Sequence, residues 1–381
     1  MSDSMADKPL LEILIPTYKR PKQAVAAIAS AISGDNPEVS VFCHSNGYVG
    51  EIDSFARGKD RIRYGYFETN QGAVANFKKL IEDSDAEYIL FLSDEDKINQ
   101  ACLESFLSFL RASDYSSVLS TVIHEDSTRY FYAGGLGASS LNATDVLKFF
   151  PIDPTYVSGY CFNKRMISSE ILEHSFVPSS ENVYPHLILR NKLLNFGNMG
   201  LFNCPLIIKG DEAKVGGDSH QHMENSKCDK TGKDPHGLNP AIYGTEARMA
   251  QFFYLKAHLS DMLARQSIFC RLYVKAYLLG AWLVVTNNAR NVVDGEYRIS
   301  YRDTLERVRG RVEGDKARGD LSGLMYKIFF SIRSNLVRNV ISRALFFITK
   351  SVKLVLCVIR FGFSNTFNFL YGRNKASHEQ D

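Results

Sequence analysis

Over the first hundred residues, short apolar runs alternate with amphipathic stretches, and that alternation is the dominant pattern of the chain. Leu11-Glu12-Ile13-Leu14-Ile15 predicts a strand stopped by Pro16, followed by Thr17-Tyr18-Lys19-Arg20-Pro21. Ala24 to Ile32, rich in alanine and apolar on most faces, predicts a helix. Val39 to Cys43 predicts a second strand leading into the turn signal His44-Ser45-Asn46-Gly47. Ile62 to Phe67 predicts a third, ending at Asn70-Gln71-Gly72, and Ala73 to Ile81 an amphipathic helix. Tyr88 to Leu92 is too short for a typical buried helix and rich in strand formers, so it predicts a strand covered on both faces. Strand and helix alternate at the spacing of a parallel sheet with crossover helices, an α/β fold.

The last of these runs ends abruptly in Ser93-Asp94-Glu95-Asp96. In open α/β sheets, ligands sit beyond the carboxyl ends of the strands. If the chain stays extended there, Asp94 and Asp96 project to one side and Glu95 to the other. Two carboxylates converging at a strand end suit a hard cation, Mg²⁺ or Mn²⁺. A solvated acidic loop accounts for the same three residues equally well.

Beyond Gly244 the pattern becomes helical. Glu246 to Arg265 and the more apolar Ile268 to Val285 predict two helices, and Arg298 to Arg318 a charged, solvated one. From Leu321 to His378 there is no Asp or Glu, although the whole chain carries only +3. Its cations interrupt every candidate spanning window, the strongest being Val340 to Phe363 with Lys350 and Lys353 near the middle. A basic amphipathic helix lying in the interface of an anionic leaflet fits this better, and a helix packed on the globular domain is the alternative. At 381 residues the chain holds two domains, or one with a large appendage. The expected division is 1–240 for the α/β domain, 241–319 for a helical extension and 320–381 for a membrane-associating tail.

The 45% apolar and 23% charged content is that of a globular protein. Seven scattered cysteines without C-x-x-C spacing point to a reducing compartment and to no thiolate metal site. Residues 1–9 are polar and lack the apolar core of a signal peptide, so a cytosolic catalytic part is expected. No nucleic-acid partner is expected.

Ile15-Pro16-Thr17-Tyr18-Lys19-Arg20-Pro21, then Asn70-Gln71-Gly72 with Asn76, then Phe91-Leu92-Ser93-Asp94-Glu95-Asp96 together resemble the family 2 glycosyltransferases of the GT-A fold. Tyr156-Val157-Ser158-Gly159-Tyr160 is similar to the acceptor-side Ser-Gly element of those enzymes. The resemblance covers roughly the first 210 residues. It implies a Rossmann-like mixed sheet with flanking helices, a nucleotide-sugar donor, a divalent metal on the diphosphate and inversion at the anomeric carbon. It further implies Asp96 as a direct metal ligand, with Asp94 nearer the ribose or a metal-bound water. Pro16, Thr17, Tyr18 and Arg20 would line the nucleotide. Arg20 could pair with phosphate and Tyr18 stack on the base, or Arg20 could be a solvated charge at a helix start.

The sequence departs from that family in one place. Where an Asp commonly reads the nucleobase after the second strand, this chain has His44-Ser45-Asn46, which leaves Ser45 and Asn46 as the base-side candidates and puts uridine recognition in doubt. Asn70, Gly72 and Asn76 either line the donor pocket or form a turn and helix start, with Gly72 at positive φ. For the base that inversion needs, Glu181 in Ser179-Ser180-Glu181-Asn182 stands at the matching place; the alternative is a helix cap with Glu181 in the first turn. Asp211, after the apolar strand Leu206-Ile207-Ile208, is the rival base. Between Gly210 and Gly237 the loop Gly216-Gly217-Asp218-Ser219-His220-Gln221-His222 could bring His222 to the metal, or be a surface loop with incidental histidines.

These readings join into an inverting glycosyltransferase, peripheral on the cytoplasmic face of the inner membrane, acting on a saccharide or lipid-linked saccharide acceptor. Two other classes remain. One is a non-catalytic, membrane-associated protein that binds nucleotide sugars or acts as a scaffold. The other, a nucleotidyltransferase, is disfavoured because no Gly-rich, Lys-bearing phosphate loop follows the first strand.

Overall fold

Ten strands form one sheet in a computed structural model that describes residues 8–127, 129–131, 139–150, 156–177, 182, 184–210, 258–259, 262–274 and 335–361. The chain runs β1 (Leu11–Thr17), α1 (Pro21–Ile32), β2 (Val39–Asn46), α2 (Gly50–Ala56), β3 (Ile62–Phe67), α3 (Gly72–Glu82) and β4 (Tyr88–Phe91). It continues with β5 (Lys97–Ile98), α4 (Gln100–Arg111), β6 (Ser117–His124), β7 (Arg129–Phe131), β8 (Ser140–Leu141) and α5 (Ala143–Phe149). Then come β9 (Tyr160–Asn163), α6 (Ser169–Ser175), α7 (Pro185–Leu193), β10 (Met199–Lys209) and α8 (Asn335–Phe361).

The order across the sheet is β3-β2-β1-β4-β9-β6-β10-β5, with β7 on β6 and β8 on β10. β3, β2, β1 and β4 are mutually parallel, as the alternation predicts. β9 then enters antiparallel between β4 and β6, and β10 lies parallel to β6. The sheet is therefore mixed and carries helices on both faces, the architecture implied by the resemblance.

The two faces bury separate cores. Leu11, Ile13 and Ile15 of β1 pack with Ala24, Ala27, Ile28 and Ala31 of α1 on one side. Small alanines at helical spacing let α1 lie close to the sheet. On the other side Leu14 and Phe91 join α5, α6 and α7. α4 buries Cys102, Leu103, Phe106, Leu107 and Leu110, and its start is fixed by Asn99, whose side chain accepts from Ala101 N. Each fully buried Leu, Ile or Phe contributes about 1.5–3 kcal/mol.

Three expectations are corrected here. β1 does not stop at Pro16 but runs to Thr17, because position 16 faces the β4 side, where pairing ends at Leu14–Phe91 and no ladder hydrogen bond needs the proline N–H. β2 likewise extends through His44 and Ser45 to Asn46, its final residues pairing with β3. Cys102 of α4 and Cys204 of β10 are joined in a disulfide with a Cα–Cα distance of 6.0 Å, where scattered thiols were expected to stay reduced. Their sequence separation of 102 hid the pairing. Cys43, Cys161, Cys270 and Cys357 are free and buried.

Of the expected helical extension, Leu259, Met262, Leu263, Cys270, Tyr273 and Val274 pack into the core on the α5 side. The charged helix expected over Arg298 to Arg318 lies outside the described residues. α8, inside the expected basic tail, docks on α5. Val352, Leu356 and Phe361 pack against that core, and Arg360 Nε lies 3.2 Å from Asp145 Oδ2. Among the described residues, no helix is long and apolar enough to cross a membrane.

Candidate active site

The carboxyl ends of β1 and β4 are neighbours in the sheet, so the residues that follow each strand meet. After Thr17 the chain must turn sharply into α1, and Lys19 takes φ +56 to do so. Such a conformation costs a non-glycine residue free energy that the surrounding structure must offset. After β4 the chain does not remain extended. Asp96 N donates to Ser93 O at 3.0 Å, closing a turn over Ser93–Asp96.

That turn corrects the expectation that Glu95 points away from Asp94. Arg20 Nη1 donates to both, at 3.2 Å to Asp94 Oδ1 and 2.9 Å to Glu95 Oε2. Thr17 Oγ1 donates to Asp94 Oδ2 at 2.7 Å. Asp94 is buried, and burial pushes its carboxyl upward against the opposing pull of Arg20 and Thr17.

Asp96 is fully buried and sits deeper. Tyr156 Oη donates at 2.7 and 2.5 Å to its two oxygens, Ser158 Oγ at 2.5 Å to Oδ2 and Gly210 N at 3.0 Å to Oδ1. Burial raises its carboxyl too; the hydroxyls of Ser158 and Tyr156, the Gly210 N–H and the Lys209 charge oppose that rise. Tyr156, Ser158 and Gly210 thus gather around Asp96. The first two lie in the quoted Tyr156–Tyr160 stretch, read as acceptor-side. Its proximity to the acidic turn was not legible, because contacts 60 residues apart leave no local pattern.

Two glycines make this convergence possible. Gly159 takes φ +92, and a Cβ there would lie 2.6 Å from Ser120 Oγ. Its N–H donates to Phe91 O at 3.1 Å, which fastens the Ser158 turn to the end of β4. A Cβ on Gly210 would lie 2.0 Å from the Glu95 carbonyl oxygen. Only glycine lets β10 end against the acidic turn.

The remaining candidates divide between the rim and the frame. Tyr18 is 40% exposed at the rim, with Lys19 Nζ 5.1 Å from its ring centroid. Pro16 is a β1 residue beside Thr17. Ser45 is buried, donating to Gly47 O at 2.5 Å and sharing a 2.7 Å hydrogen bond with Tyr64 Oη. Asn46 accepts from Gln71 N at 3.1 Å and donates to Gly72 O at 3.2 Å, tying β2 to the start of α3. Asn70 Oδ1 accepts from Gly72 N at 2.9 Å, and Gly72 has φ +84. Asn76 is buried and donates to His44 O at 3.0 Å and Thr17 O at 3.4 Å. Its Oδ1 lies 2.6 Å from His44 Nδ1. With both its amide hydrogens given away, Asn76 Oδ1 is the acceptor and His44 Nδ1 the donor.

Glu181, Asp211 and His222 lie outside the described residues. Asp211 follows directly on Gly210, whose N–H reaches Asp96. Among the described residues no three of His, Cys, Asp and Glu gather as a metal cluster. Two acidic residues and a neutralising arginine can receive a polar, anionic ligand only if Arg20 exchanges its carboxylate partners for that ligand.

A family model described as Glycosyl transferase family 2 matches residues 12–172, a span that contains Thr17, Arg20, Asp94, Asp96, Tyr156 and Ser158. The Bacillus subtilis (strain 168) protein named "Putative teichuronic acid biosynthesis glycosyltransferase TuaG" is 25% identical over 150 residues. The match takes in 37% of this chain and 58% of that relative, little more than half its length. Among solved structures, S. aureus TarS 1–349 in complex with UDP is similar with a TM-score of 0.44 and 12% identity, over 81% of this chain and 92% of that one. The Pyrobaculum calidifontis mannosyltransferase PcManGT, solved with GDP-Man and Mn²⁺, has a TM-score of 0.46 and 10% identity, over 96% of this chain and 88% of that one.

Proposed function

We propose that this chain, whose residues 12–172 match the Glycosyl transferase family 2 model, moves a sugar from a nucleotide-sugar donor onto a saccharide acceptor with inversion at the anomeric carbon. The observation that carries the reading is the meeting of Thr17 and Arg20, from the end of β1, with Asp94 and Glu95, in the turn after β4 that also holds Asp96.

Transfer leaves a nucleoside diphosphate with growing negative charge, so the site must place positive charge and donors where that charge appears. Arg20 is part-exposed and always protonated, and its planar fork matches phosphate oxygens. Turning from Asp94 and Glu95 toward a diphosphate would exchange carboxylate partners for phosphate ones. Tyr18, exposed beside it, offers a flat face to the base. In this reading the end of β2, with Ser45 and Asn46, is the base side of the site.

The reading takes Mg²⁺ or Mn²⁺ as cofactor, and the donor set fits a hard cation. Asp96 is a buried carboxylate surrounded by the oxygens of Tyr156 and Ser158, with a second carboxylate in Asp94. Asp96 with Asp94 would hold the ion, which supplies Lewis-acid stabilisation to the leaving diphosphate. The acceptor hydroxyl loses its proton to a carboxylate base, for which Glu181 and Asp211 are the candidates.

The acceptor in this reading is a lipid-linked saccharide of a surface polymer, and the enzyme sits peripherally on the cytoplasmic face of the inner membrane. The acid-free segment 321–378 supports an anionic membrane surface as partner, and the named role of the B. subtilis relative supports polymer assembly.

The test is a panel of nucleotide sugars assayed for donor turnover and for thermal stabilisation, with and without divalent metal. One donor should stabilise the protein in a metal-dependent way and be turned over, and Asp96→Ala should lose both effects. Full turnover in excess chelator would remove the metal, and tight donor binding without turnover would favour the scaffold reading.

A further inference from the structure

α8 lies along the body with an inverted pattern of charge. Its inward face is anchored by Cys357, buried to 1%, by Val352 and Leu356, and by the Phe361 ring 5.1 Å from that of Phe149. Two cations of α8 reach toward the body. Arg360 pairs with Asp145, and Lys353 Nζ lies 5.9 Å from the Phe150 ring. The face turned away from the body is the apolar one. Phe347 is 72% exposed, Ile348 56%, Val355 55% and Ile359 77%.

At about 100° per residue, positions 344, 347, 348, 351, 354, 355, 358 and 359 share an arc of about 140°. They are Ala, Phe, Ile, Ser, Leu, Val, Val and Ile, with no charge among them. A helix whose outer face met only water would carry its polar residues there. A face this apolar from Ala344 to Ile359, about 24 Å of helix, is covered by something.

We infer that this outer face of α8 lies in the plane of an anionic lipid bilayer, with Phe347, Ile348, Val355 and Ile359 in the acyl boundary. The inference deepens the membrane reading given above and rests on it. Charge complementarity selects lipid over a second copy of the chain. The segment around α8 holds cations without one acid, and exposed Lys350 lies beside the apolar arc, at headgroup level for an in-plane helix. Two copies of an acid-free segment would repel each other. Because the Arg360–Asp145 pair and the Phe149–Phe361 contact hold α8 to α5, the bilayer would meet the catalytic domain at a fixed face and not through a tether.

The experiment uses the full chain and vesicles of phosphatidylcholine with or without 30% phosphatidylglycerol, the composition being a choice of roughly physiological anionic density. The parent should co-sediment with the anionic vesicles and bind them less at high salt. Ile348→Asp with Ile359→Asp should weaken partitioning by roughly 100-fold, the combined loss of two inserted aliphatic groups and the addition of two charges. Phe196→Glu, an equally exposed aromatic on another surface, should bind as the parent does. Phe347→Trp should gain quenching by brominated lipid over the parent, whose Trp282 is the background.

Circular dichroism and donor turnover without vesicles, measured on the same samples, separate a membrane defect from a folding or catalytic one. Undiminished vesicle binding by the double Asp variant overturns the inference. So does a parent dimer that the variant converts to monomer while vesicle binding persists, which would make the face a contact between copies. Failure of donor turnover in every sample would sink the glycosyltransferase reading and leave the vesicle result standing.

Discussion

Tyr156 and Asp96 lie 60 residues apart in the chain, and the phenol of one reaches both carboxylate oxygens of the other at 2.7 and 2.5 Å. With Ser158 and the Gly210 N–H it surrounds an anion that burial alone would disfavour. The acidic turn is therefore held in shape by groups from two separate parts of the chain, Tyr156–Ser158 and Gly210.

Tyr156→Phe keeps the ring and removes one donor from Asp96. Deleting a hydrogen bond to a buried charge should lower unfolding free energy by about 1.5–3 kcal/mol, with Ser158 and Gly210 N keeping the loss near the lower end. The check is the denaturant midpoint at an unchanged slope. Donor turnover should fall in the folded variant because the Asp96 carboxylate loses its fixed orientation. Turnover equal to the parent's would mean that Ser158 and Gly210 suffice to position Asp96.

His44 makes stability depend on pH. Burial lowers its pKa below the ordinary 6.5; the Asn76 hydrogen bond and Asp83 pull the other way, and Lys79 adds to the lowering. The unfolded chain therefore binds the proton more readily than the folded one. The stabilisation from neutral His44 is fully present above pH 6.5 and is lost as pH falls through the folded value. Unfolding free energy measured below that pH should decline, the His44 share being at most about 1.4 kcal/mol per pH unit. His44→Gln should remove that share of the slope. An identical slope in the variant would place the proton uptake elsewhere.

The parallel half of the sheet was legible because β1, β2 and β4 are dense apolar runs and α1 and α3 follow β1 and β3 with helical period. The acidic turn was legible as a place where such a run breaks. What was not legible depends on distance in the chain. Glu12 interrupts the β1 run and is nonetheless buried, satisfied by Arg63 at 2.9 Å from two strands away. Asn46 and Asn76 read as donor-pocket residues by their place in the motifs, yet their amides are engaged in holding β1, β2 and α3 together. The insertion of β9 between β4 and β6 brings Tyr156 and Ser158 to Asp96, and that order is set by sheet topology, which periodicity does not encode.

The disulfide gives a third prediction. Cys102 and Cys204 join α4 to β10 across 102 residues, so the bond restricts a large loop of the unfolded chain. Reduction, or Cys102→Ser with Cys204→Ser, should lower unfolding free energy by about 2–4 kcal/mol. Urea melts in oxidising and reducing buffer should show two midpoints for the parent and one for the double variant. A single midpoint for the parent in both buffers would show that the bond does not form in solution.

Gly210 offers the sharpest test of how β10 meets the acidic turn. A methyl group there would stand 2.0 Å from the Glu95 carbonyl oxygen, a backbone atom that cannot rotate away. Gly210→Ala must therefore move either the end of β10 or the Ser93–Asp96 turn, and either movement withdraws the Gly210 N–H from Asp96 Oδ1. Displaced backbone and a lost charge-assisted hydrogen bond together should cost about 2–4 kcal/mol of stability. At a temperature where the variant stays folded, donor turnover should drop by about 10-fold or more, since small displacements of catalytic groups are strongly felt. Gly197→Ala serves as the control. Its Cβ would meet Ser116 at 3.3 Å and touches nothing in the acidic turn, so it should change stability modestly and turnover hardly at all. If Gly210→Ala behaved like Gly197→Ala, β10 would not close on Glu95 and Asp96.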